Sequence, residues 1–251
     1  MPRRHDADAG GDADLLAAKA RLRDEAWGAL RAAKVARFPG AEGRIPNFVG
    51  AEAAAERLRR VSAWQRAGTV KANPDAPQWP VRQRALEDRK TLYMAVPRLA
   101  EAKPFFLLDP TRLADSPRQA SSIKGASRSA VTVDLSDIEP VDLVVAGCVA
   151  VGEDGARLGK GGGFSDLELA VAAEAGLIDP STAVVTTVHD LQVRAASDIP
   201  TTSHDIHVDL VVTPERVIEC PRPRGYQPPR LRWHELTGEK IAAIPLLQRL
   251  R

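Results

Sequence analysis

Residues 141–188 read "VDLVVAGCVAVGEDGARLGKGGGFSDLELAVAAEAGLIDPSTAVVTTV", and this stretch decides the fold class. Its two apolar runs, 141–151 and 182–188, show no alternation with polar residues, which is typical of strands buried on both faces. The segment between them has an apolar helical pattern from residue 164 that ends near Gly176. Strand, helix and strand in this order predict a right-handed crossover within an open α/β sandwich.

The sequence on both sides continues this pattern of helices and buried strands. Helical periodicity comes first, at residues 13–34 and 51–65. Short β-rich runs closed by prolines follow at 69–74, 90–97 and 104–110, with a helical segment at 80–88. Downstream, residues 208–213 form another continuous apolar run. The predicted fold class is therefore α/β, with a mostly parallel central sheet covered by helices.

Length and composition indicate the domain organisation. The chain has 251 residues, enough for a large core, and its opening residues are polar and show no periodicity. We therefore expect a mobile N-terminus at 1–12 and one α/β domain at 13–220. Residues 221–251 are rich in Pro and Arg, and we expect a tail that packs on the domain or extends from it.

The same composition disfavours several other classes of protein. The formal net charge is only +2, too mild to indicate a nucleic-acid partner by itself. No stretch reaches the roughly 20 apolar residues of a transmembrane helix, and no apolar signal-peptide segment follows the first arginines. Cys148 and Cys220 are far apart with no other cysteine beside them, which supports neither a disulfide framework nor a zinc site. We expect a cytoplasmic protein with no membrane partner.

A glycine-rich loop, "GARLGKGGGFSDLE" at residues 155–168, is the main candidate for a site. It lies between a predicted strand and a predicted helix, where α/β sheets bind ligands. Backbone N–H groups and the helix dipole favour an anion there, and Arg157 and Lys160 would add cationic donors. The loop matches neither the Walker A motif nor G-x-G-x-x-G.

A purely structural interpretation of the same loop stays open beside the anion site. Ser165 fits an N-cap and Glu168 the third helical position, so "SDLE" also reads as a capping box after a glycine turn. Asp166 favours a site for a phosphate with a bound metal ion. A carboxylate beside a phosphate is repelled by it unless a divalent cation such as Mg²⁺ bridges the two.

Four segments together carry a resemblance to a known family. "GARLGKGGGFSD" is similar to the G-x-R-L-G-x-G-x-G-Y-Y-D loop of the 5-formyltetrahydrofolate cyclo-ligases, or methenyltetrahydrofolate synthetases. "AKARLRDEAW" resembles the family's K-x-x-x-R helix, and "DRKTLYMAVPRL" resembles its G-K-x-(apolar)-P strand. "IPTTSHDIHVDLVVTPERVIE" resembles its closing segment, so the likeness covers residues 14–219 in the right order.

The resemblance implies a three-layer α/β/α sandwich, related to sugar-phosphate isomerases and CoA transferases, and a ligase of one-carbon folate metabolism that uses ATP and Mg²⁺. The implied catalytic residues are Lys19, Arg157 and Lys160. The implied nucleotide-binding residues are Lys19, Arg23, Gly155, Arg157, Leu158, Gly159, Lys160, Gly161, Gly162, Gly163 and Phe164. The implied metal ligands are Asp166 and Asp205.

Departures from the family pattern concern the acceptor. Phe164 and Ser165 stand where the family has paired tyrosines, and residues 121–140 do not resemble its folate-contacting region. Three segments are more similar to a divergent branch of the family, the methenyltetrahydrofolate synthetase domain-containing proteins. These segments are "LGKGGGFSDLE", "VTTVHDLQV" and "IPTTSHDIHVD". These departures leave two alternatives for the acceptor, which are 5-formyltetrahydrofolate and a different small molecule.

Two alternative interpretations concern other residues. His204, Asp205 and His207 have ligand-type side chains, and His189 follows a predicted strand, but such loose spacing fits ordinary hydrogen bonding as well as a transition metal. The basic tail, with Tyr226 and Trp233 for stacking, fits either an RNA contact or an extended segment that wraps the domain. In the first case the protein would be a nucleotide-binding module that performs no cyclisation.

Overall fold

A computed structural model describes residues 6–202, 205–222 and 225–251. The α-helices are α1 (Asp6–Ala32), α2 (Ala51–Leu58), α3 (Ser62–Arg66), α4 (Trp79–Glu87), α5 (Pro117–Ala120), α6 (Ile123–Ser129), α7 (Phe164–Glu174), α8 (Gly238–Ala243) and α9 (Pro245–Leu250). The strands are β1 (Thr69–Ala72), β2 (Thr91–Ala95), β3 (Phe105–Leu108), β4 (Val131–Val133), β5 (Leu143–Val145), β6 (Ala150–Gly152), β7 (Arg157–Leu158), β8 (Ala183–Thr187), β9 (Val193–Arg194), β10 (Leu210–Val212) and β11 (Val217–Glu219).

The main sheet has eight strands in the order β11-β10-β8-β5-β1-β2-β3-β4. The pairs from β10 through β8, β5 and β1 to β2 are parallel, whereas β11, β3 and β4 pair antiparallel at the edges. The predicted α/β class with a mostly parallel central sheet is confirmed. From β1 the chain passes first to β2 on one side and later to β5 on the other, so a ligand crevice is expected at the carboxyl ends of β1 and β5.

Alternate residues of the central strands point into two separate cores. On β5, Val144 packs in the core that includes Leu169 of α7, whereas Leu143 and Val145 pack in the core that includes Val81 of α4. All three β5 side chains are fully buried, because helices cover both faces of the sheet. This two-sided burial explains why the parallel strands lack polar alternation.

A second, small sheet positions α1 beside the glycine loop. Its strands lie in the order β7-β6-β9. Leu158 of β7 packs with Ala26 and Leu30 of α1 in a third core, separate from the two cores of the main sheet. Trp27 of α1 also belongs to this core. The hairpin of β6 and β7 therefore carries the start of the loop to the same place as α1.

The predicted strand at 141–151 is wrong in extent, since the structure divides it into β5 and β6, which belong to different sheets. Gly147 lies between the two strands, and a Cβ atom there would lie 2.7 Å from Gln78 Oε1 and 3.0 Å from Ile45 Cγ2. The Gly147 carbonyl oxygen accepts a hydrogen bond from Arg157 Nη1 at 2.8 Å. Close packing and this side-chain donor replace the strand ladder at this point.

Two helices and the tail also differ from expectation. The helix predicted at 51–65 is broken, because Val61 has an extended backbone (φ −78°, ψ 137°) between α2 and α3. Helix α1 begins at Asp6, earlier than the pattern indicated, and residues 1–5 of the expected mobile N-terminus lie outside the described residues. The tail ends in α8 and α9, which the sequence analysis did not assign. None of the helices in the described ranges combines the length and apolar character that spanning a membrane requires.

Candidate functional site

The glycine loop leads from β7 into the first turn of α7. Gly161 (φ 105°) and Gly163 (φ 64°) adopt left-handed conformations that favour glycine, and Gly163 is the N-cap of α7. No side chain caps this helix, so the predicted capping box is wrong. Ser165 Oγ instead accepts from Asn73 Nδ2 at 2.9 Å. The start of α7 therefore keeps the anion-attracting character of an uncapped helix N-terminus.

Arg157 is the central cation of this region, and its side chain is only 3% exposed. Nη1 donates to Gly147 O, and Nη2 donates to Asp166 Oδ1 at 2.7 Å. Nε is buried and has no hydrogen-bond partner among the described residues. Burial opposes the charge, but the Asp166 carboxylate outweighs burial and raises the pKa of Arg157. The guanidinium is therefore held charged, and its Nε–H donor is still unused.

Helix α1 contributes two further cations from one face. Arg23 Nε donates to Gly159 O at 2.7 Å, and Lys19 Nζ donates to Asp205 Oδ2 at 2.6 Å. Burial lowers the pKa of Arg23, although the charge of Asp205 raises it in part. The i, i+4 spacing thus brings both side chains to the loop, where the family resemblance implied that they would lie.

The two predicted metal ligands lie close to these cations. Asp205 Oδ2 also accepts from the Thr202 amide at 2.6 Å, and Asp166 Oδ1 accepts from the Ile206 amide at 3.3 Å. Because Arg157 pairs with Asp166, this carboxylate already has a counter-charge, and its negative charge does not by itself require a divalent cation. A metal role for the two residues depends instead on their shared cavity.

A small cavity of about 250 Å³ brings most of the predicted residues together. Its lining includes Lys19, Arg23, Arg157, Leu158, Gly159, Gly161, Gly163, Asp166 and Asp205. The tail closes one side, with Arg230, Arg232 and Lys240 among the lining residues. Cations thus surround a space slightly smaller than the roughly 300–1,000 Å³ of drug-sized ligand sites.

A larger cleft of about 1430 Å³ opens on the other side of the loop. It includes Lys160, Gly162 and Phe164 from the predicted set, together with Asn73 and Asp75 from the end of β1. Lys160 Nζ lies 3.5 Å from Asp75 Oδ1 at the cleft. The cleft therefore occupies the crevice that the strand order indicates.

Five residues line both cavities and so mark their junction: Arg157, Gly159, Gly163, Asp166 and Lys240. A group bound in the small cavity would meet a molecule in the cleft at this point. Four of the five come from the loop that the sequence singled out, and Lys240 comes from the tail.

A buried polar network beside the large cleft was missed by sequence reasoning. Lys71 Nζ donates to Glu168 Oε2 at 2.6 Å, and both side chains are almost fully buried. Asn73 Nδ2 donates to the same oxygen at 3.2 Å, which fixes the orientation of the amide because a carboxylate only accepts. Asn73 Oδ1 is buried without a partner among the described residues and belongs to a side chain at the cleft. The signal in the sequence was Lys71, a charged residue inside an otherwise β-rich run.

Gly155 differs from the rest of the predicted nucleotide-binding set. It lies at the turn between β6 and β7 with φ 86°, where a Cβ atom would lie 2.3 Å from Val208 O. Its amide donates to Gly152 O at 2.9 Å. A glycine is therefore required at position 155 for structural reasons, because the turn is tight and lies against the segment that follows Asp205.

The histidine alternative gains no support from the described residues. No group of three metal-ligating side chains occurs among them, and His204 lies outside them. His207 Nε2 lies 2.7 Å from Asp154 O, and His189 Nδ1 accepts from the Leu191 amide at 3.1 Å. Cys148 is fully buried, and burial raises the pKa of its thiol to about 11.

The two tail aromatics contact the protein itself. The Tyr226 ring lies 4.8 Å from the Arg222 guanidinium and 6.0 Å from the His207 ring, and Trp233 packs against the core that contains α7. These contacts agree with the second of the two interpretations of the tail, an extended segment that wraps the domain.

Comparisons with known proteins agree with this architecture. A model of the 5-formyltetrahydrofolate cyclo-ligase family matches residues 12–214. The methenyltetrahydrofolate synthase domain-containing proteins of Bos taurus and Mus musculus are 38% and 39% identical over 237 residues, or 93% of this chain. The chain spans 62% and 63% of the length of these relatives. The structure of Aquifex aeolicus 5,10-methenyltetrahydrofolate synthetase is similar in fold, with a TM-score of 0.53 and 17% identity over 87% of this chain and 99% of that chain.

Proposed function

Since this chain belongs to the 5-formyltetrahydrofolate cyclo-ligase family, we propose that it uses Mg·ATP to activate a small acceptor by phosphoryl transfer. The observation that carries the proposal is the junction of two cavities at Arg157, Gly159, Gly163, Asp166 and Lys240. Phosphoryl transfer needs a phosphate site in line with an acceptor site and little covalent chemistry from the protein. The junction supports the proposal, because a phosphate in the small cavity would there meet an acceptor in the cleft.

The small cavity fits the phosphates of the nucleotide. The unused Nε of Arg157 is a buried donor, the left-handed glycines leave room for a phosphate at the backbone, and α7 begins there without a side-chain cap. Lys19 and Arg23 add charge from α1, and Lys160 adds charge from the cleft. These groups would hold and orient the phosphates and stabilise negative charge during transfer.

Asp166 and Asp205 would hold Mg²⁺, which prefers carboxylate oxygens together with phosphate oxygens. Both line the small cavity, and each carboxylate is oriented by a backbone amide. When bound, the ion would neutralise phosphate charge. Lys19 and Arg157 hold the two carboxylates in place and balance their charge.

The acceptor would occupy the cleft, and 5-formyltetrahydrofolate is the acceptor that the family suggests. In that reaction the formyl oxygen attacks the γ-phosphorus, the bond to the bridging oxygen breaks, and ADP leaves with the electron pair. N10 then attacks the activated carbon and loses its proton, and phosphate departs with the former formyl oxygen. The products are 5,10-methenyltetrahydrofolate, ADP and inorganic phosphate.

Calorimetric titration with ATP, with and without Mg²⁺, tests the nucleotide part of the proposal. Arg157→Ala removes the charge-assisted donors, and we expect it to weaken Mg·ATP binding by about 1.5–3 kcal/mol. Arg23→Gln should also weaken binding, whereas Arg21→Gln is its matched control, because Arg21 is exposed on the same helix and pairs only weakly with Glu25 at 3.9 Å. Unchanged ATP affinity in both Arg157→Ala and Arg23→Gln would exclude the small cavity as the phosphate site.

Asp166→Asn separates metal binding from ion pairing in the same experiment. If Asp166 holds Mg²⁺, ATP affinity in this variant should no longer respond to Mg²⁺. If it serves only as the partner of Arg157, the unfolding free energy should fall while the Mg²⁺ dependence of the wild type is retained. We expect the first result.

A further inference from the structure

Lys240 lies on α8, beyond residues 12–214 that the family model matches. The tail holds α8 firmly, because Ile244, Leu246 and Leu247 are buried in the same core as α7. At the other end of α8, the side chain of Thr237 caps the helix by accepting from the Lys240 amide at 3.1 Å. The position of Lys240 is therefore fixed by packing on one side and by a helix cap on the other.

The ammonium group of Lys240 rests on the glycine loop. Nζ donates to Gly162 O at 3.2 Å and lies 5.5 Å from the centre of the Phe164 ring. A Cβ atom built on Gly163 would lie 3.1 Å from Nζ, so the ammonium stands directly beside the N-cap of α7. Lys240 also lines both the small cavity and the large cleft.

The local partners of this ammonium leave it suited to an anion. Within the described residues Nζ donates to a neutral carbonyl oxygen and to the face of an aromatic ring, and it forms no ion pair. An ammonium has three N–H donors, so one carbonyl uses only part of its capacity. Burial lowers the pKa of Lys240, while the nearby charge of Asp166 raises it in part. A half-buried cation beside an uncapped helix start would gain most from a bound negative charge.

We propose that Lys240 is a phosphate-binding residue of this protein, and that its ammonium contacts the phosphoryl group where the small cavity meets the cleft. The inference rests on the proposed function, since it assumes a polyphosphate in the small cavity. It assigns a direct phosphate-binding role to a residue of the tail, for which the sequence favoured either an RNA contact or an extended segment that wraps the domain. Phe164 offers no hydrogen-bond donor at this place, so Lys240 supplies one from another part of the chain.

The test compares three variants of the full chain by calorimetry, with Mg·ATP and with inorganic tripolyphosphate as probes. Lys240→Gln should raise the dissociation constant for both probes about 10- to 100-fold, the usual effect of losing a charge-assisted hydrogen bond. Lys240→Arg, which keeps the charge, should recover most of the affinity. Arg251→Gln is the matched control, because it removes a cation from an exposed position of the same tail that lines neither cavity.

Urea unfolding of each variant accompanies the titrations. If Lys240→Gln lowers the unfolding midpoint, Lys240→Met repeats the test, since its side chain still covers Phe164. The inference would be overturned if folded Lys240→Gln or Lys240→Met binds both probes as tightly as the wild type. If Arg157→Ala loses affinity in the same experiment, the proposed function stays intact. If the wild type binds neither ATP nor tripolyphosphate, the proposed function and the assignment of Lys240 are both contradicted. Weaker binding of both probes with an unchanged midpoint supports the assignment.

Discussion

Lys71 and Glu168 form an ion pair at the floor of the cleft, with side-chain exposures of 4% each. Removing two charges from water costs several kcal/mol per ion, and their attraction offsets this only with good geometry and further hydrogen bonds. Asn73 supplies one such bond to Glu168. The pair therefore contributes less to stability than its short distance suggests, but each partner depends strongly on the other.

Glu168→Gln should lower the free energy of unfolding by about 3–5 kcal/mol, because it leaves the Lys71 ammonium buried without a counter-charge. The double variant Lys71→Met with Glu168→Leu should recover most of this loss, since two apolar side chains bury no charge. Glu52→Gln is a control on an exposed pair with Arg84 and should cost less than about 1 kcal/mol. Urea unfolding measures all three. A loss in Glu168→Gln as small as in the control would contradict a buried, coupled pair.

Single residues also show where sequence reasoning reaches its limit at the site. Arg157, Lys160, Gly161 and Gly163 could be found because glycines and cations before a helix have a local physical meaning. Ser165 was misassigned because its true partner, Asn73, is distant in sequence. The capping pattern is local, whereas the bond that replaces it depends on the packing of α7 against β1.

At the scale of elements, Asp88 joins the broken helix α2–α3 to the end of α4. It accepts from Trp64 Nε1 at 2.8 Å and pairs with the Arg59 guanidinium. Burial alone would raise the pKa of Asp88, but the hydrogen bonds from Arg59 and Trp64 outweigh it, and the pKa is lowered. The contact therefore stabilises the fold only while the carboxylate is charged.

The pH dependence of stability follows from this lowered pKa. A carboxyl group with a depressed folded pKa contributes stability above its unfolded value of about 3.9 and loses it as the pH falls through the folded value. Asp88→Asn should cost about 1 kcal/mol near pH 7, since solvent screens part of the pair. Urea unfolding at a series of pH values should show the difference from the wild type shrinking below about pH 4. A difference that stays constant across this range would mean that the charge of Asp88 has no role.

Elements with strong periodicity were predicted well, and those fixed by distant contacts were not. The end of α7 near Gly176 follows from a local rule, and Gly176 has φ 71° as expected at such an end. The division of β5 from β6 depends on Gln78 and Ile45 approaching Gly147, which no local pattern records. Helices α8 and α9 are short and are held by the core of the domain, so their own sequence predicts them weakly.

At the scale of the whole molecule, the fold brings the small cavity and the large cleft to opposite sides of one loop. The mostly parallel sheet was predictable from the apolar runs, because continuous apolar runs are typical of strands buried on both faces, whereas the order of the strands was not predicted. The identity of the proposed acceptor was not predictable either, since the cleft proposed for it is lined by residues from many separate segments.

We predict slow or absent turnover of 5-formyltetrahydrofolate. Phe164 and Ser165 remove two phenol groups beside the reacting phosphate, and each lost hydrogen bond in a transition state costs about 10²–10³ in rate. The near-ultraviolet absorbance of 5,10-methenyltetrahydrofolate follows the reaction with Mg·ATP, and a sample without ATP is the control. Phe164→Tyr should raise any residual rate. Wild-type turnover in the usual enzyme range of roughly 1–10³ per second would refute the prediction.

The pair of Lys19 and Asp205 has a consequence for synthesis of the chain. Its partners are 186 positions apart, and at about 5–20 residues per second the ribosome needs about 10–40 s to pass from one to the other. During that interval the Lys19 ammonium on α1 has no native counter-charge. We expect a nascent chain to become competent for nucleotide only after the closing segment has emerged, so ATP would act as a late, stabilising ligand of newly made protein and not as a guide for its early folding.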